Sequence, residues 1–270
     1  MDDRVQITVT DHIADVKLVR SDKMNALDKK MFDALAAAAK QVSDDPDVRC
    51  VVLSGEGRAF CAGLDVSAMG ESGGTGNLDD APDDGVGRLE RRTHGLANGP
   101  QAAAWAWREC SKPVIAAVHG VAFGGGFQVM LGSDIRLAAP GTRFSVMELK
   151  WGLVPDMSGM VTMRSILRDD VIRELTYTAR IFEADEAKEL GVITKISEDP
   201  HADAMDLARH IVGRNPDAVQ AAKRLINRSY DLSTADLLLE ESIEQDKIIG
   251  SQNQMEAVMA ELEKRPAKFG

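Results

Sequence analysis

The chain has 270 residues, 44% of them hydrophobic, which is enough to bury a substantial core and excludes disorder as a general description. Its net charge of −11 argues against nucleic acid as the main partner, because a phosphate backbone needs a concentrated basic face; a few local lysines or arginines can still hold a small phosphate-bearing molecule. Cys50, Cys61 and Cys110 are odd in number and form no CxxC pair, so neither a disulfide framework nor a zinc knuckle is supported, and free thiols are expected. The longest apolar runs fall far short of the roughly 20 residues that cross a bilayer. Met1-Asp2-Asp3-Arg4 leads into alternating residues with no signal-like apolar segment. No membrane contact and a cytoplasmic location are therefore expected.

In chain order, Val5, Ile7 and Val9 alternate with polar residues, and Val16 and Leu18 do so again after Asp11-His12, which predicts an antiparallel hairpin. From Asp28 to Val42 the period changes: Met31, Leu35, Ala38 and Val42 recur at helical spacing. Val48 to Leu53 is a continuous apolar run, as in a strand buried on both faces, and ends at Ser54-Gly55. Gly70 to Gly87, rich in Gly, Asp and Ser, predicts a surface loop, and Asp44, Asp45, Asp79, Asp80, Asp83 and Asp84 read as solvated surface charge. Trp105 and Trp107 read as packing residues on a strand or a helix. Val114 to Val118 is a second buried strand, Gly124 to Leu131 suits a helix, and Ile135 to Ala138, Arg143 to Val146 and Val192 to Ile196 are short strands. This alternation predicts an α/β core over 1–198. Four helical segments then start near Pro200, Pro216, Leu232 and Gln252, predicting a helical region over 199–270. Leu237, Leu238, Leu239, Ile243, Ile248 and Ile249 there carry more apolar surface than a lone helix pair can hide, which points to a contact with the core or another subunit.

Two segments carry chemistry. Gly124-Gly125-Gly126 lies between a buried strand and a helix, where unpaired N–H groups can approach an anion or an oxyanion closely. The run contains neither GxGxxG nor a P-loop Gly-Lys-Ser/Thr. Arg58 to Asp65 makes a second turn after a buried strand, and two converging donors are what an oxyanion hole needs. Cys61, beside that turn, is a conceivable nucleophile without a neighbouring histidine in sequence, and His119 reads as structural. No cluster of His, Cys and acids has metal-ligand spacing.

Arg20-Ser-Asp-Lys-Met-Asn25-Ala-Leu27, Ala59-Phe-Cys-Ala-Gly-Leu-Asp65, His119-Gly120 with Gly124-Gly125-Gly126, and Glu148 with Gly152-Leu-Val-Pro155 resemble, in order and spacing, the enoyl-CoA hydratase/isomerase (crotonase) superfamily. The resemblance implies a spiral of stacked ββα units with a helical C-terminal region, a homotrimer or pair of trimers, and an acyl-CoA substrate whose coenzyme A is part of the substrate, so no separate cofactor is expected. It places the oxyanion hole at the amides of Ala62 and Gly125. The coenzyme A site falls around Lys23, Met24, Ala26, Phe60, Ala62, Leu64, Asp65, Gly124 and Gly125, with Lys23 able to meet a phosphate.

Hydratases of this family carry two glutamates that share a water. Here the first position is Gln128, which can orient water or substrate but cannot transfer protons as an acid. The second is Glu148, among apolar neighbours that raise a carboxyl pKa. Asp156 follows at a spacing that resembles the dienoyl-CoA isomerases; it could also cap the helix expected near Ser158. The expectation is double-bond isomerisation of an unsaturated acyl-CoA through a stabilised enolate, with Glu148 and Asp156 moving protons and Gln128 assisting. The alternatives are a hydratase using Glu148, and a non-catalytic acyl-CoA binder.

Overall fold

The computed structural model describes residues 3–65 and 85–270. Strands β1 (Val5–Thr10) and β2 (Ile13–Leu18) form the expected antiparallel hairpin, and Asp11 and His12 turn the chain at φ of 50° and 65°. Helix α1 (Lys29–Asp44) starts where Asp28 accepts the Met31 N–H at 2.8 Å, and it buries the stripe Met31, Leu35, Ala38 and Val42. β3 (Cys50–Gly55) follows. The loop expected over Gly70 to Gly87 lies outside the described residues except for Gly85, Val86 and Gly87, and so do Asp79, Asp80, Asp83 and Asp84.

Helix α2 (Gly99–Glu109) carries both Trp105 and Trp107 and is closed at its start by a reciprocal pair of Asn98–Gln101 bonds, a capping box built from Asn and Gln. Then come β4 (Val114–Val118), β5 (Val121–Phe123), α3 (Gly125–Leu131), β6 (Ile135–Ala138) and β7 (Arg143–Ser145). A 3₁₀ turn at Glu148–Trp151 leads to α4 (Gly159–Met163), α5 (Asp169–Thr178), β8 (Phe182–Glu183), α6 (Ala184–Glu189) and β9 (Lys195–Ile196). The chain ends in α7 (Pro200–Val212), α8 (Pro216–Arg228), α9 (Thr234–Ile248) and α10 (Gln252–Glu263).

One sheet has the order β1-β2-β3-β4-β6-β9, parallel beyond the first hairpin, and a smaller one has the order β5-β7-β8. The apolar runs of β3 and β4 follow from burial on both faces. Val51, Leu53, Val114 and Ala116 enter a core shared with α1 and α2, while Cys50, Val52, Ile115 and Ala117 meet Ala204 and Ala208 of α7. Helix α7, the start of the helical C-terminal region, is thus the outer layer of the main sheet. A valine, leucine or isoleucine side chain buried this completely stabilises the fold by roughly 1.5–3 kcal/mol. Phe127 of α3, Phe144 of β7 and Phe182 of β8 form a ring cluster with centroids 5.7 to 6.4 Å apart, fixing the helix after the glycine run against the strand that leads to Glu148. Among the described residues, no helix is long and apolar enough to cross a membrane.

Candidate active site

The site is assembled from two turns and a strap. In the first turn Met24 and Asn25 both hold positive φ, 50° and 55°. Asn25 makes this tenable: fully buried, it accepts the Arg20 N–H at 2.9 Å and donates to Glu56 O at 3.0 Å and Ala59 O at 2.9 Å. Residues 24–27 then run beside 62–65, joined by Ala62 N–H to Met24 O, Leu27 N–H to Gly63 O and Asp65 N–H to Leu27 O at 2.8 to 3.0 Å. Arg20 locks the pair by donating to Ala26 O at 2.8 Å and to the buried Asp65 carboxylate at 2.6 Å.

These contacts correct three expectations. The Ala62 N–H is committed to Met24 O, whereas the Leu64 N–H has no backbone acceptor among the described residues and is turned the other way by the parallel Leu27–Leu64 bridge. The Phe60 side chain is fully buried in the main core and cannot line an open cleft. Asp65 clamps the two segments through Arg20 and presents no spare charge to a ligand there. Lys23, by contrast, is exposed, and Met24 and Leu64 are half-buried.

The second turn is Gly124 to Gly126. Gly124 has φ of 48° and donates to Ser145 O at 3.0 Å, and the Gly125 N–H, the first of α3, has no acceptor among the described residues. Cys61 pairs with β5 at Ala122, a strand not foreseen from sequence, which draws the two turns together. A Cβ on Gly126 would lie 2.5 Å from Cys61 O, and one on Gly63 would lie 3.6 Å from the Gly125 nitrogen. Only glycines permit this approach, which sets the Gly63 end of the first turn against the start of α3. Cys61 itself is buried, its thiol donates to Asn25 O at 3.1 Å, and burial pushes its pKa up to about 12, so it is no nucleophile. His119 sits on Gly57 O at 2.8 Å, a structural contact.

The strap after β7 supplies the acids. Burial raises the Glu148 pKa, its own backbone N–H and the Gln128 amide oppose that, and the negative charge of Asp156 adds to it. Glu148 Oε1 accepts from Gln128 Nε2 at 2.6 Å, while Glu148 Oε2 is buried with no partner among the described residues. The Gln128 oxygen in turn accepts the N–H groups of Met157 at 2.9 Å and Gly159 at 2.8 Å. Asp156 is exposed in the single chain, yet the protein mass around its carboxyl raises its pKa, against its own backbone N–H and the charge of Arg88. It does not cap α4: the residue before that helix is Ser158, at φ of 70°, and no side chain caps it. Among the described residues, no group of His, Cys, Asp and Glu could hold a metal ion.

The model of the family described as enoyl-CoA hydratase/isomerase matches residues 8–270. The chain is similar to a peroxisomal Δ(3,5)-Δ(2,4)-dienoyl-CoA isomerase of Arabidopsis thaliana, with 30% identity over 93% of this chain and 90% of that protein. It is also similar to an enoyl-CoA hydratase of Mycobacterium tuberculosis, with 33% identity over 81% of this chain and 78% of that one. Among solved structures, a putative enoyl-CoA hydratase from Streptomyces coelicolor A3(2) superposes with a TM-score of 0.85 and 29% identity, over 99% of this chain and 94% of the other.

Proposed function

Because the chain belongs to the enoyl-CoA hydratase/isomerase family, we propose that it shifts a double bond along an unsaturated acyl-CoA, with Glu148 and Asp156 as the two proton carriers. The observation that carries this reading is that Glu148 and Asp156 follow one another on one strap, both with pKa values raised mainly by burial, and that Glu148 is bonded to an amide at the position where a second hydratase acid is expected. The coenzyme A enters as part of the substrate, and Lys23, which is exposed, meets its phosphates in this reading.

The thioester oxygen sits against the Leu64 and Gly125 amides, which stabilise the negative charge that develops on it as the neighbouring C–H bond ionises. One carboxylate takes that proton, and the C–H electron pair moves into the enolate. The other, protonated, carboxyl then delivers its proton to the far carbon, the electron pair returns, and the double bond has moved with no atom added. Asp156, being exposed, re-equilibrates with solvent between turnovers. The exposed Leu238 and Leu239 of α9 and Val258, Met259 and Leu262 of α10 support assembly of several copies, a trimer or a pair of trimers.

Hydration is the second reading, favoured by the similarity to the Mycobacterium tuberculosis hydratase. The test is to incubate the protein with 2-enoyl-, 3-enoyl- and 3,5-dienoyl-CoA in heavy water and read products by mass and ultraviolet absorbance. A moved double bond with deuterium and without added water is expected. A 3-hydroxyacyl product assigns hydration instead, and binding without turnover across the panel makes the protein an acyl-CoA binder.

A further inference from the structure

We propose that Gln128 is a positioning residue that acts through Glu148: it occupies one carboxyl oxygen, Oε1, and thereby reserves Oε2 for the proton the reaction moves. The inference rests on the proton-transfer reading above and assigns it to a single atom.

The orientation of the amide follows from its partners. Two backbone N–H groups, those of Met157 and Gly159, point at one end of it from 2.9 and 2.8 Å, so that end is the oxygen. The other end is therefore the NH₂ group, which can only donate, and it faces Glu148 Oε1 at 2.6 Å. An amide nitrogen accepts no proton, so Oε1 stays an acceptor at every stage of the reaction. The remaining oxygen, Oε2, is buried and has no partner among the described residues. The surroundings are shaped to this amide. Gln128 is fully buried, and a Cβ on Gly159 would lie 2.6 Å from its oxygen, so a larger residue there would displace it.

This arrangement also separates the chain from a two-acid site. A glutamate at 128 would keep the two N–H contacts with one oxygen and set its other oxygen against Glu148 Oε1, where the amide nitrogen now lies at 2.6 Å. Two carboxylates at that separation cannot both ionise freely and hold one proton between them. Glu148 would then share its proton on Oε1. The groups facing Glu148 are the Gln128 amide from α3, the Asp156 charge from the strap before α4, and its own backbone N–H, with Arg88 acting on Asp156.

The experiment compares Gln128→Glu and Gln128→Leu with the unaltered protein. Glu148 is titrated by carbon-13 NMR, its resonance assigned by its absence in Glu148→Gln, and deuterium exchange into acyl-CoA is followed across pH in the same preparations. In Gln128→Glu the two N–H contacts to Met157 and Gly159 survive, so a change there reports on the contact with Glu148 rather than on loss of the turn, and Gln128→Leu separates the lost donor from the added charge. The expected result is a displacement of that titration to higher pH by about one unit or more, with the exchange profile moving alongside it. Gln128→Leu removes the donor without adding a charge and is expected to move the titration upward by less, with exchange reduced at least tenfold. An unmoved Glu148 titration in Gln128→Glu, or a moved titration with an unmoved exchange profile, overturns the inference. Absence of exchange in the unaltered protein defeats the proton-transfer reading itself, while the titration still reports on the contact.

Discussion

Replacing Glu148 with glutamine removes the proposed proton carrier while leaving its setting almost intact. The new side-chain oxygen can take the same bond from Gln128 Nε2, now 2.6 Å long, and the Leu64 and Gly125 amides are held by contacts that do not involve residue 148. A positioned acid or base contributes about 10²–10⁴ in rate, so exchange should fall by that factor, equivalent to about 2.7–5.5 kcal/mol of barrier. The two amides remain, so activity should not fall to the uncatalysed rate. Affinity for a coenzyme A thioester should change little, since the Lys23–Leu27 segment is untouched. The variant also reports on stability. The carboxyl pKa of Glu148 is raised in the folded chain, so between its ordinary and raised values the folded state binds more protons than the unfolded one, and stability falls as pH rises through that window. Removing the charge relieves this only above the window. The Tm of Glu148→Gln relative to the unaltered protein should therefore be more favourable at about pH 8 than at about pH 4. Exchange in heavy water and thermal unfolding at the two pH values are the assays. Unchanged exchange would refute the role of Glu148, and a Tm difference that shrinks as pH rises would refute the burial argument.

Three further perturbations test other parts of the structure. In Gly126→Ala the added Cβ meets Cys61 O at 2.5 Å and Cys61 Cβ at 2.7 Å, so α3 must move away from the first turn. Stability should drop by about 1–3 kcal/mol in denaturant titration and exchange should fall with it; wild-type exchange would show that the two turns need not touch. The buried Lys223 amine donates to Asp134 at 2.8 Å and to Lys112 O at 2.8 Å, tying α8 to the main sheet, so Lys223→Met leaves the part-buried Asp134 carboxylate with the Val114 N–H and should cost about 1–3 kcal/mol by the same titration. A loss below about 1 kcal/mol would make this a solvated pair. Charging the exposed apolar face of α9 with Leu238→Glu and Leu239→Glu should reduce the assembled mass in sedimentation without unfolding the monomer, whereas an unchanged mass would place the subunit contact elsewhere.

Periodicity in the sequence was enough to place the first hairpin, α1, the buried strands β3 and β4, and the C-terminal helices, because each depends on spacing between near neighbours. The glycine run stood out as a strand-to-helix turn, and the family resemblance pointed to Gln128, Glu148 and Asp156 as candidate residues. The sequence also suggested that α9 exposes apolar surface, and Leu238, Leu239 and Ile249 are exposed in the structure. It did not foresee α2, whose cap uses an Asn–Gln pair, or the short strand β5, whose ladder partners lie in β7 and at Cys61. Nor did it distinguish Leu64 from Ala62, since which amide stays free depends on Met24 O and Leu27 O reaching across from another segment. The orientation of Gln128 was equally hidden, because the N–H groups of Met157 and Gly159 that fix it come from a distant part of the chain. Local spacing determines elements and residue types, whereas the partner of each polar group is settled only when remote backbone is packed against it.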